Sequence, residues 1–305
     1  MKVLITDGIE KIGSDMLKAA GFDVVEQKLT PEELLKEIPT ASAIIVRSAT
    51  KVTREVIDAG VNLRAIARGG VGLDNIDVPY AKEKGIPVLN TPGASSISVA
   101  ELAISHMFAL SRFLHVSTAS MREGKWLKKD FAKGRELTGK TLGVLGFGNI
   151  GREVAKRALG LGMKVVAFDP YVNSTDMNVT LLSKEELLKT SDIITLHMPF
   201  IKSEGPTLTE KEFAMMKDGV MIINCARGGV VSEKALLDAL KSGKVALAGI
   251  DVFENEPITE AQGELLNHPN VSATPHIGAS TDEAQERVGS EIAQKVIDAL
   301  NGGSK

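Results

Sequence analysis

Cysteine is almost missing from this chain of 305 residues: Cys225 is the only one. No intrachain disulfide can form, and neither a thiolate zinc site nor an iron–sulfur cluster can be assembled, so a reducing, cytoplasmic setting and no metal are expected. Aromatic residues make up 4% of the sequence, with one Trp and two Tyr, which leaves little for platforms that stack bases. Charge of one sign is also lacking. Lys and Arg total 36 against 39 Asp and Glu, a net charge of −3, so there is no general pull toward nucleic acid or an anionic membrane, and an anionic ligand must be met by a local cluster. Long hydrophobic runs are absent too: Val245–Ile250 is far short of the ~20 residues of a bilayer span. The three apolar residues Val3, Leu4 and Ile5 are too few for the core of a secretory signal. What is present is 43% apolar residues and 29 glycines, the make-up of a globular chain with sizeable cores and backbone-lined loops. The expected partner is a small molecule.

Short apolar runs alternate with amphipathic stretches, the pattern of parallel sheets covered by helices on both faces, so the fold class is α/β. A first strand series is expected at Val3–Thr6, Val24–Val25, Ala43–Val46, Ala65–Ala67 and Val88–Leu89. A second runs through Thr141–Leu145, Val165–Phe168, Ile193–Leu196, Met221–Asn224, Val245–Ile250 and Val271–Ala273. Helix starts are marked by capping boxes at Thr30/Glu33, Ser183/Glu186, Thr209/Glu212 and Ser98/Glu101. The box at Ser98 opens a long helix toward Leu114, after the turn-rich junction Asn90–Ile97. The last helical stretch, Thr281–Leu300, is expected to return to the first domain, leaving Asn301–Lys305 as a loose tail. Two doubly wound domains follow, 1–97 with 281–305 and 98–280.

The sharpest motif is Gly146-Phe147-Gly148-Asn149-Ile150-Gly151, at the end of one strand and the mouth of a helix. Gly146 permits the tight turn, Gly148 lets a pyrophosphate approach the backbone, and Gly151 allows close helix–strand packing. N–H groups at the helix start then meet the phosphates. Asp169 stands at the end of the next strand, 18 residues beyond Gly151. A carboxylate there accepts from ribose hydroxyls and repels a 2′-phosphate, which favours NAD over NADP. Ligands of doubly wound sheets sit beyond the carboxyl ends of the strands. The residues there are Arg47 and Ser48, Arg68-Gly69-Gly70-Val71, and Asn90 in the first series. In the second they are His197, Cys225-Ala226-Arg227, Asp251 and His276.

Four segments carry a resemblance: the glycine motif, Asn224–Gly229, Asp251–Pro257 and Thr274–Ser280. In this order they resemble the D-isomer-specific 2-hydroxyacid dehydrogenases across nearly the whole chain. The resemblance implies a Rossmann-type NAD domain inserted in a flavodoxin-like substrate domain, with Arg227, Glu256 and His276 as the catalytic trio. It further implies cofactor contacts from Val71, the glycine loop with Asn149 and Ile150, Asp169, His197, Met198, Pro199, Cys225, Ala226, Arg227, Asp251, His276, Gly278 and Ala279. Substrate contacts fall to Arg47, Ser48, Arg68, Gly69, Gly70, Asn90, Arg227 and His276. The chemistry asks for the same types. Moving a hydride from a 2-hydroxy acid releases a hydroxyl proton to a base titrating near neutrality, for which histidine suits. A carboxylate such as Glu256 raises that histidine's pKa and fixes its tautomer. An arginine such as Arg227 pairs with the substrate carboxylate. His106, His115 and His268 are read as ordinary helix or loop residues, and Cys225 as backbone or packing, not a nucleophile.

Within the family the first domain resembles the branch that acts on 3-phosphoglycerate, through Val46–Thr53 and Arg68–Asn75. A phosphate brings about two further negative charges, and Arg47 with Arg68 at neighbouring strand ends can meet them. The alternatives are reduction of unphosphorylated glyoxylate or hydroxypyruvate, and a non-enzymatic NAD-sensing module. No residues are left after Lys305 for the serine-binding regulatory domain that many members of that branch carry, so serine inhibition through such a domain is not expected. The resemblance also implies a homodimer built on Ser98 to about Leu137.

Overall fold

The computed structural model describes residues 1–302; the last three positions of the expected tail lie outside the described residues. The chain divides into two compact units, Met1–Ser95 with the stretch from Ala279 onward, and Ser96–Gly278.

The first unit is built from β1 (Lys2–Ile5), α1 (Lys11–Ala19), β2 (Asp23–Glu26), α2 (Pro31–Glu37), β3 (Ala43–Val46), α3 (Arg54–Ala59), β4 (Ala65–Arg68), α4 (Val78–Glu83) and β5 (Val88–Asn90), with the C-terminal helix Asp282–Leu300. Its five strands pair in parallel in the order β2-β1-β3-β4-β5. All four residues of β3, Ala-Ile-Ile-Val, are buried, because helices cover both faces of the sheet. The period of two sorts them: Val3, Ile5 and Ile45 pack with Ile292 and Val296 of the C-terminal helix, whereas Leu4, Ile44 and Ile66 pack with Leu34, Val56 and Ala81 of the opposite layer.

The second unit holds α5 (Ser96–Ser111), α6 (Leu114–Arg122), β6 (Thr141–Leu145), α7 (Asn149–Gly160), β7 (Lys164–Phe168), β8 (Thr180–Leu181), α8 (Lys184–Thr190), β9 (Ile193–Leu196), α9 (Glu210–Met215), β10 (Val220–Asn224), α10 (Glu233–Ser242), β11 (Val245–Ile250), α11 (Gly263–Leu266) and β12 (Val271–Ala273). Its parallel sheet runs β12-β11-β10-β9-β6-β7-β8. The strand order reverses between β6 and β9, the switch point where such sheets take nucleotides. One face carries α5 and α7 through Ala103, Met107 and Val154, the other α8 and α10 through Leu187 and Leu236.

The expected strands are all present, along with β8, a two-residue edge strand. The capping boxes at Thr30 and Ser183 form, and Glu212 accepts from the Thr209 N–H. The cap at Ser98 does not form. α5 starts two residues earlier, so Ser98 lies inside it, and its hydroxyl donates to the Gly278 carbonyl at 2.6 Å while Glu101 pairs with Arg157. The long helix ends at Ser111, close to the expected Leu114, where Phe113 takes a left-handed φ of 57° before α6. No single helix among the described residues is long and apolar enough to cross a bilayer.

Candidate active site

The glycine loop follows β6 in the second unit. Gly146 has φ +90°, and a Cβ there would lie 2.5 Å from the His197 carbonyl oxygen. A Cβ on Gly151 would lie 2.1 Å from the Gly146 carbonyl oxygen, so only glycine lets the first turn of α7 close on the strand end. Around Gly148, the N-cap of α7, no atom lies within 4 Å of a built Cβ. The first turn of a helix has N–H groups without intrahelical acceptors, and here they open onto unobstructed backbone, a cradle that fits a diphosphate. Asp169 stands at the end of β7, with Oδ2 accepting from the Phe147 N–H at 2.8 Å and Oδ1 from the Tyr171 N–H at 2.9 Å. The carboxylate is thereby tied to the glycine loop, and each oxygen keeps a lone pair for a ribose hydroxyl.

Past β11, β12 and β10 the same unit gathers the three residues expected to be catalytic. His276 Nδ1 and Glu256 Oε2 are 2.6 Å apart, and Glu256 Oε1 accepts from the Phe253 N–H at 2.9 Å. The hydrogen bond to Glu256 raises the pKa of His276 above its ordinary value against the effect of burial, with further help from the charge of Asp251. Burial works to raise Glu256, yet the hydrogen bonds from His276 and Phe253 outweigh it and hold the carboxyl low. Arg227 follows β10, and its charge acts on both members of the pair. A Cβ on Gly228 would stand 1.7 Å from the Phe253 carbonyl oxygen, so the Arg227 loop is pressed against the segment that leads to Glu256. Asn224 braces that loop, its side chain donating to the Arg227 carbonyl and accepting from the Ala226 N–H. The outward nitrogen of His276 is left to a ligand. Beside it Phe253, Pro257, Ile258, Leu266 and Pro275 line an apolar cavity of about 520 Å³.

The other expected cofactor residues of this unit have distinct environments. His197, at the end of β9, bonds Thr195 Oγ1 through Nε2 at 2.8 Å, and burial pushes its pKa down to about 3, so it is a neutral wall and not a base. Cys225 is buried, and burial followed by the charge of Asp251 pushes its thiol up, which removes thiolate reactivity. Asp251 is buried and accepts from the N–H groups of Ile277 and Gly278, both at 2.8 Å. Met198 and Pro199 continue from His197 beside the glycine loop, where Met198 Cβ is 3.1 Å from a Cβ built on Gly146. Val71 and Ala279 belong to the first unit.

In that first unit, Arg47 opens the loop after β3 and Arg68 ends β4. Their side chains lie over the two glycines: a Cβ on Gly69 would be 2.9 Å from Arg47 Cδ, and one on Gly70 2.9 Å from Arg68 Nη1. Arg68 Nε donates to the Arg47 carbonyl at 3.3 Å. Burial holds the Arg47 guanidinium below its ordinary pKa, against the charges of Asp7 and Glu10. The exposed Ser48 follows it, at the mouth of a cavity of about 720 Å³ that Thr6, Asp7, Lys28, Arg47 and Lys51 also line. Asn90 donates to the Val71 carbonyl at 2.7 Å. Two residues that sequence reasoning passed over hold this loop. Asp7 accepts from the N–H groups of Arg47 and Thr50, and Asn75 donates to the carbonyls of the same two residues. Asp7 follows β1 as Arg47 follows β3, so the strand-end rule covered it; Asn75 closes the Arg68–Asn75 segment of the resemblance, but its spacing does not mark it as a brace.

Residues 104–278 match the family model of the D-isomer specific 2-hydroxyacid dehydrogenase NAD binding domain. The chain is 52% identical over 301 residues to a hydroxypyruvate reductase of Thermotoga maritima, covering 98% of each. It is 46% identical over 307 residues to the D-3-phosphoglycerate dehydrogenase of Homo sapiens, covering 99% of this chain and 57% of that protein. Among solved structures, D-lactate dehydrogenase from Aquifex aeolicus, complexed with NAD and lactic acid, superposes with a TM-score of 0.88 at 33% identity, covering 99% of this chain and 96% of that one.

Proposed function

The chain belongs to the D-isomer specific 2-hydroxyacid dehydrogenases and contains their NAD-binding domain, and from this premise we propose that it oxidises 3-phospho-D-glycerate to 3-phosphohydroxypyruvate, the entry reaction of L-serine biosynthesis. The observation that carries the choice of substrate is the pair Arg47 and Arg68, seated over Gly69 and Gly70. Two guanidiniums at adjacent strand ends match a dianionic phosphate by charge and by fork geometry.

When bound, NAD supplies the acceptor for the hydride that leaves C2 of the substrate. The chain's own residues do the rest. The N-terminus of α7 holds the diphosphate and Asp169 the ribose. Arg227 holds the C1 carboxylate and keeps C2 oriented. As C2 gives up its hydride, the hydroxyl proton passes to the nitrogen of His276 opposite Glu256, and the C2–O bond becomes a carbonyl. Glu256 stabilises the imidazolium formed and keeps the proton off the wrong nitrogen. In reduction the same imidazolium returns its proton while Arg227 polarises the carbonyl.

A second reading, reduction of hydroxypyruvate, is favoured by the 52% identical relative from Thermotoga maritima. It uses the same trio and leaves the phosphate residues idle. Arg47→Ala separates the two. Loss of hydrogen bonds to a charged group costs about 1.5–3 kcal/mol, or about 10- to 150-fold in kcat/KM. That loss is expected with 3-phosphohydroxypyruvate and not with hydroxypyruvate; equal losses on both would reject the phosphate assignment. We further propose a cytoplasmic homodimer, supported by Leu114, Met121, Trp126 and Leu127 standing exposed on α6 and the loop after it. Sedimentation at the mass of one chain would reject it.

A further inference from the structure

Among the buried titratable side chains that the mechanism above does not use is His106. It lies on α5 and is 3% exposed. Its ring occupies space that Gly249 of β11 leaves open: a Cβ there would lie 2.7 Å from His106 Cβ and 3.0 Å from its Cγ. Nδ1 is 3.0 Å from Ser272 Oγ and Nε2 is 3.1 Å from Thr274 Oγ1. Thr274 gives its only hydroxyl proton to Asp251 Oδ1 at 2.6 Å, so toward the ring it accepts. The ring proton therefore sits on Nε2, and Nδ1 accepts from Ser272. One neutral tautomer satisfies every partner, and burial favours the neutral form.

The far end of this chain is the backbone that carries His276. The N–H of His276 donates to the Asp251 carbonyl at 2.8 Å, and the next two N–H groups, of Ile277 and Gly278, donate to the Asp251 carboxylate at 2.8 Å each. Three consecutive amides are thus clamped to one residue. His276 itself has φ +54°, a conformation that a side-chain-bearing residue keeps only where its surroundings impose it. Gly278 is held again from α5, through its carbonyl and Ser98.

We infer that His106 is a positioning residue for His276: through Thr274 and Asp251 it fixes the backbone that aims the imidazole, without touching substrate or cofactor. The inference rests on the acid–base role proposed for His276. It is tested on the full-length protein with His106→Leu, His106→Gln, Thr274→Val and the double variant H106L/T274V, by steady-state NADH oxidation on the preferred keto acid and by fluorescence titration of NADH.

The leucine side chain fills the ring's space and donates nothing to Thr274. H106L is expected to lower kcat about tenfold, with kcat/KM falling in parallel and the NADH Kd within about twofold, the signature of a group misplaced only for the chemical step. H106Q places an amide N–H near the position of the ring's Nε2 and should recover most of the rate. T274V should match H106L, and the double variant should be no worse than either single change, because both cut one path. A kcat for H106L within about twofold of the parent, a loss confined to KM, or losses that multiply in the double variant would overturn the role. Should H106L not fold, H106Q and T274V decide the matter in the same terms. His276→Gln run in parallel separates the two readings: if it keeps its rate, the acid–base role and this inference both fall, whereas an inactive H276Q beside an unchanged H106L overturns the positioning role alone.

Discussion

Replacing Glu256 by Gln removes the charge from the pair and, with the amide oxygen still accepting from the Phe253 N–H that Glu256 holds at 2.9 Å, turns an NH2 toward His276 Nδ1, so the tautomer held by Glu256 is lost as well. The partners touch at 2.6 Å, and their side chains are 48% and 36% exposed. Unit charges about 4 Å apart interact by ~1 kcal/mol in water and ~4 kcal/mol at an effective dielectric of about 20. Half-exposed groups are screened toward the lower limit, so about 1–2 kcal/mol of imidazolium stabilisation is at stake, or roughly 5- to 30-fold. The sign follows from the direction of the shift. Glu256 raises the pKa of His276, so the native enzyme keeps the proton donor for reduction available to higher pH. In E256Q the pH above which reduction declines must move down, and reduction on the alkaline side should fall by that 5- to 30-fold factor, about 1–2 kcal/mol. Oxidation needs the neutral ring, so its acid limb must move down as well. The assay is kcat/KM against pH in both directions, followed by NADH absorbance. Limbs that stay in place, or move up, would refute the reasoning.

Two glycines of the cofactor loop should separate folding from binding. Gly151→Ala pushes a methyl to 2.1 Å from the Gly146 carbonyl oxygen, and overpacking of about 1–3 kcal/mol should appear as a lower Tm. Gly148→Ala meets no protein atom within 4 Å, so its Tm should match the parent within about 2 °C while the NADH Kd rises by at least about tenfold. Asp169→Asn keeps one of the two acceptors that hold Phe147 and Tyr171 and loses the charge that faces a 2′-phosphate; the ratio of kcat/KM for NADPH over NADH should rise roughly tenfold, the ~1.4 kcal/mol of one partly screened repulsion. An unchanged ratio would remove Asp169 from the ribose.

Much of the fold was legible because parallel strands buried on both faces are written as unbroken apolar runs. Ala43–Val46, Ile193–Leu196 and Val245–Ile250 are strands to the residue. The candidate site was legible because such sheets present ligand-facing groups just past their strand ends, where Arg227, Asp251 and His276 lie. Failures came where tertiary contact overrides local preference. Ser98 has the spacing of a cap, but its hydroxyl is taken by Gly278, which is 180 residues away. β8 is two residues on a sheet edge, too short to leave a period. His106 reads as a helix residue and is one. Its polar partners come from β12 and the residue after it, 166 and 168 positions on, so nothing local announces them.

The measurement that bears most directly on the proposed function is NADH oxidation by the purified protein with 3-phosphohydroxypyruvate, set against hydroxypyruvate, glyoxylate and 2-oxoglutarate at equal concentrations. A strong preference in kcat/KM for the phosphorylated keto acid is predicted, because Arg47 lies against Gly69 and Arg68 against Gly70 at the ends of neighbouring strands. Equal or better turnover of hydroxypyruvate or glyoxylate would contradict the phosphate site, while leaving the family, the cofactor loop and the pairing of His276 with Glu256 in place.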